Sequence, residues 1–162
     1  MTFAGALRTA GATIKHKGCA MRGDILAPAA VLVIWTLVML VWLAAVRVPA
    51  IGGAKGLENA RRGARGQDLE NVLPPKANWP AHNYTHLTEQ PTLFYATIMI
   101  LALTGAGRTD IFLAWGYVGI RVVHSLWQVL VNVIAVRFAL FFASSACLMA
   151  LAIRAAIGCF AH

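Results

Sequence analysis

This 162-residue sequence predicts an all-α integral membrane protein, a bundle of four helices, on three observations. Hydrophobic residues make up 59% and charged residues 12%, with mean hydropathy +0.68, which leaves too little polar surface to cover a soluble globule of this length. Four long apolar runs are separated by short polar or Gly-rich stretches. The polar residues inside those runs recur at helical spacing, not at the alternation of a strand.

Residues 1–24 scatter Arg8, Lys15, Lys17 and Arg22 among Ala, Gly and Thr, without the continuous apolar core of a cleavable signal peptide. They are expected to form a disordered basic tail, and Met21 is an alternative start. From Ile25 to Val46 there is no formal charge, and Asp24 and Arg47 bracket the run. At about 1.5 Å per residue such a run crosses a hydrocarbon core of about 30 Å, so a first helix is expected over about 25–48.

Residues 49–79 change in kind, with Lys55, Arg61, Arg62, Arg65 and Lys76 among several glycines, and form a basic extramembrane loop. Trp79 before Pro80 places an interfacial aromatic next to a residue suited to a first helical turn, with Asn78 as its cap. The second helix therefore covers about 80–105. Gly105, Gly107, Arg108 and Asp110 make a tight hairpin into a third helix at about 110–132, and a short link leads to a fourth at about 137–157. Residues 25–158 thus read as one transmembrane domain.

Four spans place both termini on one side. The loop side carries seven Lys/Arg (Arg47, Lys55, Arg61, Arg62, Arg65, Lys76, Arg137) against six on the other (Arg8, Lys15, Lys17, Arg22, Arg108, Arg154), which favours a cytoplasmic loop. The net charge of +8 suits attraction to anionic headgroups, and no nucleic-acid-binding signature accompanies it. Cys19, Cys147 and Cys159 lack paired spacing and read as apolar fillers; the sequon Asn83-Tyr84-Thr85 lies at a membrane helix start and reads as chance.

Ionisable groups at membrane depth are costly and mark sites. His82, His86 and Glu89 share one stripe of the second helix, with Asn83 and Gln90 on its flank; Arg121, Ser125, Gln128 and Asn132 share one on the third, with His124 at its edge. Measured from the common hairpin, Glu89 and Arg121 lie within about one turn in depth, so an ion pair between them is expected. Arg137 opens the fourth helix, where the macrodipole is already positive, and an anion to bind would explain a cation there. His82, His86, Glu89 and His124 also have the residue types and spacing of a metal site, an alternative to anion binding, although no metal is assigned.

The segments Asn83-Tyr84-Thr85-His86-Leu87-Thr88-Glu89-Gln90-Pro91-Thr92-Leu93-Phe94-Tyr95-Ala96 and Arg121-Val122-Val123-His124-Ser125-Leu126-Trp127-Gln128, followed by Arg137, resemble the MAPEG family, membrane-associated proteins in eicosanoid and glutathione metabolism. The likeness runs from about Ile25 to Arg154 and is strongest to uncharacterised bacterial members. It implies a homotrimer in a bacterial inner membrane, with multi-pass protomers and glutathione bound between subunits at the cytoplasmic end. Glu89, Arg121 and His124 match the glutathione-binding motifs, and Arg137 matches the arginine credited with stabilising the thiolate. His82, Thr85 and His86 stand where the family's enzymes often have arginines and an asparagine, and Gln128 where some relatives have a tyrosine, so the anion clamp is weaker; His82, His86 and Gln128 are still expected to contact glutathione. Phe138 and Phe141 replace positions that supply a hydroxyl in the eicosanoid enzymes, which argues against eicosanoid synthesis. The resemblance thus implies a glutathione-dependent transferase or peroxidase acting on a lipophilic small molecule from the bilayer. The alternative is a non-catalytic member of the fold that binds lipid or a partner.

Overall fold

The computed structural model describes residues 3–54 and 65–160, with side chains described from Gly23 onward. Among these residues the chain is helical without strands: α1 Phe3–Gly52, α2 Pro75–Thr104, α3 Arg108–Leu130 and α4 Ile134–Phe160. A 3-10 turn, Gly66–Leu69, lies between α1 and α2. The backbone from Phe3 onward is helix continuous with the first span, where the sequence suggested a tail.

Each boundary has a local cause, and several differ from the sequence reading. α2 starts at Pro75, not Pro80, because extended Pro74 (φ −54°, ψ 141°) feeds a proline at the first helical position, where its missing N–H costs nothing. Asn78 is consequently one turn inside the helix. It caps nothing there; its Nδ2 donates to the Glu70 carbonyl at 3.0 Å and ties the loop to the helix base. Gly105 ends α2 with φ +104°, a conformation open to glycine and strained for other residues. Asp110 Oδ2 then accepts the Gly107 N–H at 2.7 Å and sets the start of α3. Asn132 turns the chain between α3 and α4 at φ 57°, which asparagine tolerates better than most residues. α4 begins three residues earlier than expected, and Arg137 stays within about its first turn.

α2 and α3 each pack against all three other helices, while α1 and α4 hardly touch one another. The buried positions repeat in sevens: Ile25, Leu32 and Met39 on α1; Leu87, Phe94 and Leu101 on α2; Asp110, Tyr117 and His124 on α3; Ser144 and Leu151 on α4. That repeat keeps one seam facing its neighbours along a gently supercoiled bundle. At mid-height Phe94 and Tyr117 stack with centroids 4.3 Å apart and planes 19° apart.

By length and composition, Gly23–Gly52 and Ile134–Phe160 can cross a membrane, with mean hydropathies of 2.6 and 2.0. α2 and α3 do not reach that standard because their inner faces carry the polar stripes. Their outer faces are apolar all the same, with Leu93, Met99 and Leu103 on α2 and Phe112, Val123 and Leu130 on α3 all exposed. On α4, Ala139, Ala143 and Ala146 lie on the exposed face and not in the seam with α3, so that stripe brings no helices together within one chain. Close approach is seen elsewhere: a Cβ on Gly158 would meet Thr104 Oγ1 at 3.1 Å, and one on Gly116 would meet Cys147 Sγ at 3.9 Å.

Apolar surface leaving lipid gains little from the hydrophobic effect, so the seam is held by dispersion and fit. Phe94→Ala is expected to cost about 2–3 kcal/mol, the cavity part of a core truncation. Leu103→Ala, at a side chain 74% exposed, should stay within about 0.5 kcal/mol. Reversible unfolding in mixed micelles measures both.

Candidate functional site

The site is built on the antiparallel pair α2 and α3, whose polar stripes meet inside the bundle. Asn83 Nδ2 donates to Ser125 Oγ at 2.7 Å, one of the contacts that fix the register. Arg121 is 1% exposed. Its Nη2 donates to Gln90 Oε1, and its Nε donates to the Tyr117 hydroxyl at 3.2 Å. The guanidinium also lies 5.6 Å from the Tyr117 ring centroid and 5.7 Å from that of Phe141. Gln90 Nε2 continues the chain to Ser145 Oγ at 2.7 Å on α4. One amide thus joins α2, α3 and α4.

The Glu89–Arg121 ion pair suggested by depth does not form. Residues 89 and 90 are about 100° apart on the helix, so only one of them can face α3. The inward one is Gln90, which solvates the cation without burying a carboxylate. Glu89 turns outward, its side chain 62% exposed, with Oε2 3.5 Å from His86 Nδ1.

One turn from this clamp towards the loop end, His86 of α2, His124 of α3 and Arg137 of α4 converge. A cavity of about 340 Å³ opens there, walled by these three and by Ile134, Phe138 and Phe141. The His86 and His124 rings meet edge to face with centroids 6.2 Å apart. Arg137 Nη1 donates to Asn132 Oδ1 at 2.8 Å, and its Nη2 lies 3.5 Å from His86 Nε2. Since arginine only donates, His86 Nε2 is the acceptor there, which leaves its Nδ1–H for Glu89. Arg137 Nε is buried without a partner.

A second cavity, of about 570 Å³, shares His86 and Arg137 with the first and opens towards the loop. Its polar rim includes Arg47, Arg65, Glu70, His82 and Glu89. Two contacts draw the loop over it: Arg47 Nη2 donates to the Gly66 carbonyl, and His82 Nε2 sits 2.9 Å from Glu70 Oε1. Residues 55–64, with Lys55, Arg61 and Arg62, lie outside the described residues.

The sequence-predicted residues therefore separate. His86, His124 and Arg137 gather on the inner cavity, and His82 and Glu89 on the outer one. Arg121 and Gln128 line neither; Gln128 is fully buried with both amide ends unpartnered. Gln90 and Asn132 hold the two arginines; Gln90 is a neutral amide next to the more conspicuous Glu89, and Asn132 sits at the α3–α4 turn, five residues before Arg137. Among the described residues no group of three or more His, Cys, Asp or Glu is close enough to hold a metal ion, because His82 turns to Glu70 and Glu89 faces outward. Cys147 and Cys159 are free thiols on α4.

A helical bundle whose α1 and α4 are long and apolar enough to cross a membrane, with a cation-bearing, aromatic-walled cavity at one end, has the architecture of a helical membrane protein. The chain belongs to the MAPEG family, which it matches over residues 25–157. No curated protein and no solved structure matches it.

The geometry separates Glu89 from Gln90 experimentally. Gln90→Ala leaves a buried cation short of an acceptor and is expected to cost about 2 kcal/mol. Glu89→Ala, outside that contact, should stay within about 0.5 kcal/mol. Denaturation in mixed micelles compares them, and a larger loss for Glu89→Ala would reverse the assignment.

Proposed function

We propose that this protein is a glutathione-dependent transferase or peroxidase acting on lipophilic substrates that enter from the bilayer. The observation that carries this reading is the inner cavity, where the Arg137 cation and two imidazoles face an apolar wall of Ile134, Phe138 and Phe141. MAPEG membership supports glutathione as the thiol. The residues fit such an anionic, hydrogen-bonding guest: Arg137 Nε is buried and unpartnered, and the cavity lies in the size range of small-molecule sites.

In this reading Arg137 supplies the positive field at sulfur. A thiol of ordinary pKa near 8.5 is mostly protonated at neutral pH, and a neighbouring cation raises the thiolate fraction. His86, engaged by Glu89 and Arg137, steadies the guanidinium, and His124 beside it offers its ring nitrogens to the same guest. His82 and Glu89 on the outer cavity serve the peptide's amine and carboxylates, while Arg121 acts from the interior by holding α2 and α3 in register. Phe138, 59% exposed, forms the wall a lipophilic electrophile would pass. Glutathione held there by Arg137 and His124 would supply a thiolate nucleophile, for displacement at an electrophilic carbon or for reduction of a hydroperoxide.

The same proposal includes four spans in a bacterial inner membrane, a cytoplasmic loop and a homotrimer. Family membership supports the assembly, and the outward alanines of α4 give a surface on which a second copy can approach closely. One observation favours the non-catalytic alternative: the side chains lining the inner cavity carry no hydroxyl to assist a thiolate.

The test is direct. Binding to the folded state must stabilise it, by about 2.7 kcal/mol when the ligand is at a hundred times its Kd, so reduced glutathione should raise the Tm of the detergent-solubilised protein. Thiolate absorbance should titrate with a midpoint below about 8.5 in the complex. Arg137→Ala is expected to abolish that absorbance. Stabilisation without thiolate would leave the non-catalytic reading, and no stabilisation would overturn glutathione binding.

A further inference from the structure

The end of the bundle away from the loop carries its own charged cavity. Four charged residues gather there: Asp24 at the start of the first span, Arg108 and Asp110 at the start of α3, and Arg154 near the end of α4. Asp110, 2% exposed, is satisfied internally by Arg154 and by the Gly107 N–H. Asp24 and Arg108 remain. Both are exposed, and among the described residues neither forms an ion pair with the other or with any third group. Yet both line one cavity of about 450 Å³, between α1 and α3.

Below these charges the lining is apolar. Arg108, Ile111, Phe112 and Trp115 all line the cavity and recur at helical spacing on one face of α3, so the wall descends about 10 Å from guanidinium to indole. Trp115 and Phe112 are 44% and 69% exposed, aromatic surface of the kind enriched where a bilayer changes from headgroup to acyl chain. The groove therefore offers one cation and one anion at its mouth and an aromatic floor below them.

We infer that this groove is a lipid site selective for phosphatidylethanolamine, with Arg108 taking the phosphate, Asp24 the ammonium, and Phe112 and Trp115 the upper acyl chain. The charge pattern chooses the headgroup. A guanidinium donates well to phosphate, and a carboxylate accepts charge-assisted hydrogen bonds from a primary ammonium. A choline headgroup has no N–H to give, and a glycerol headgroup has no positive charge. The inference stands apart from the thiol site, which lies at the opposite end of the bundle.

The experiment uses the full chain, delipidated in an uncharged detergent and titrated with phosphatidylethanolamine, phosphatidylcholine or phosphatidylglycerol of identical acyl chains. Lipid retention is read by native mass spectrometry and by Tm. The ethanolamine lipid should be held about tenfold more tightly than the other two, the size of effect one charge-assisted contact supplies. Asp24→Asn should erase its advantage over the choline lipid while leaving binding of both. Arg108→Gln should weaken all three, and Arg108→Lys should restore part of the loss. The Tm response to glutathione should be unchanged in every variant. Equal retention of the three lipids by the unmodified protein, or an ethanolamine preference that survives Asp24→Asn, would overturn the assignment. So would a variant that changes the sedimenting mass but not lipid retention, since the groove would then be a contact between copies of the chain.

Discussion

A guanidinium near mid-span with no carboxylate beside it constrains the rest of the bundle. An isolated charge at that depth is strongly unfavourable, so Arg121 must find its stabilisation in dipoles and π faces. It takes one acceptor from Gln90, one from Tyr117, and the rings of Tyr117 and Phe141. Each partner fixes a helix: Gln90 sets α2 against α3, and the Gln90–Ser145 bond sets α4 against α2. The cavity follows from that register. One turn from Arg121, Gln90 and Ser145 towards the loop lie His124, His86 and Phe141, and the α3–α4 turn delivers Arg137 to the same level. A clamp that binds nothing in the cavity thereby decides what the cavity presents.

Neutral solvation of Arg121 also leaves its charge uncancelled. A buried Glu89 would have neutralised it and quieted the field in the interior. With Glu89 outside, the described loop half of the bundle combines Arg121, Arg137, Arg47, Arg65 and Lys76 with Asp68 in the 3-10 turn and with Glu70 and Glu89 on the outer rim. The carboxylates are already engaged, Glu70 by His82, Glu89 by His86 and Asp68 by the Arg65 backbone N–H. An anionic guest in the inner cavity therefore meets a net positive environment whose nearest negative groups face another way, the condition under which a thiolate is favoured over a thiol.

The four helices, the hairpin at Gly105 and the stripe positions of His86 and His124 are readable because each rests on composition or on helical period, and Arg137 is marked by being a cation at a helix start. What escaped rests on choices between neighbours. Glu89 and Gln90 both border the inward stripe, and which one turns in depends on the side chain it meets on α3, not on its own helix. The start of α2 poses the same difficulty, with Pro75 and Pro80 equally suited to a first turn; extended Pro74 favours the earlier one. The loop contacts from Arg47 to Gly66, across a Gly-rich segment, and from Glu70 to His82, across Pro74 and Pro75, join residues with no shared period, and no spacing rule could announce them.

The two ends of the bundle solve one problem differently. At the hairpin end the buried charge, Asp110, is matched by Arg154 and by a backbone amide, so what remains at the surface is a balanced pair set apart across a groove. At the loop end the buried charge, Arg121, is matched by dipoles alone, and a net positive field remains beside a cavity. A carboxylate partner localises compensation and leaves its surroundings neutral, whereas dipolar compensation stabilises the ion but preserves its long-range field. The choice of Gln90 over Glu89 as the inward residue is thus both what permits Arg121 to be buried and what keeps the loop end positive.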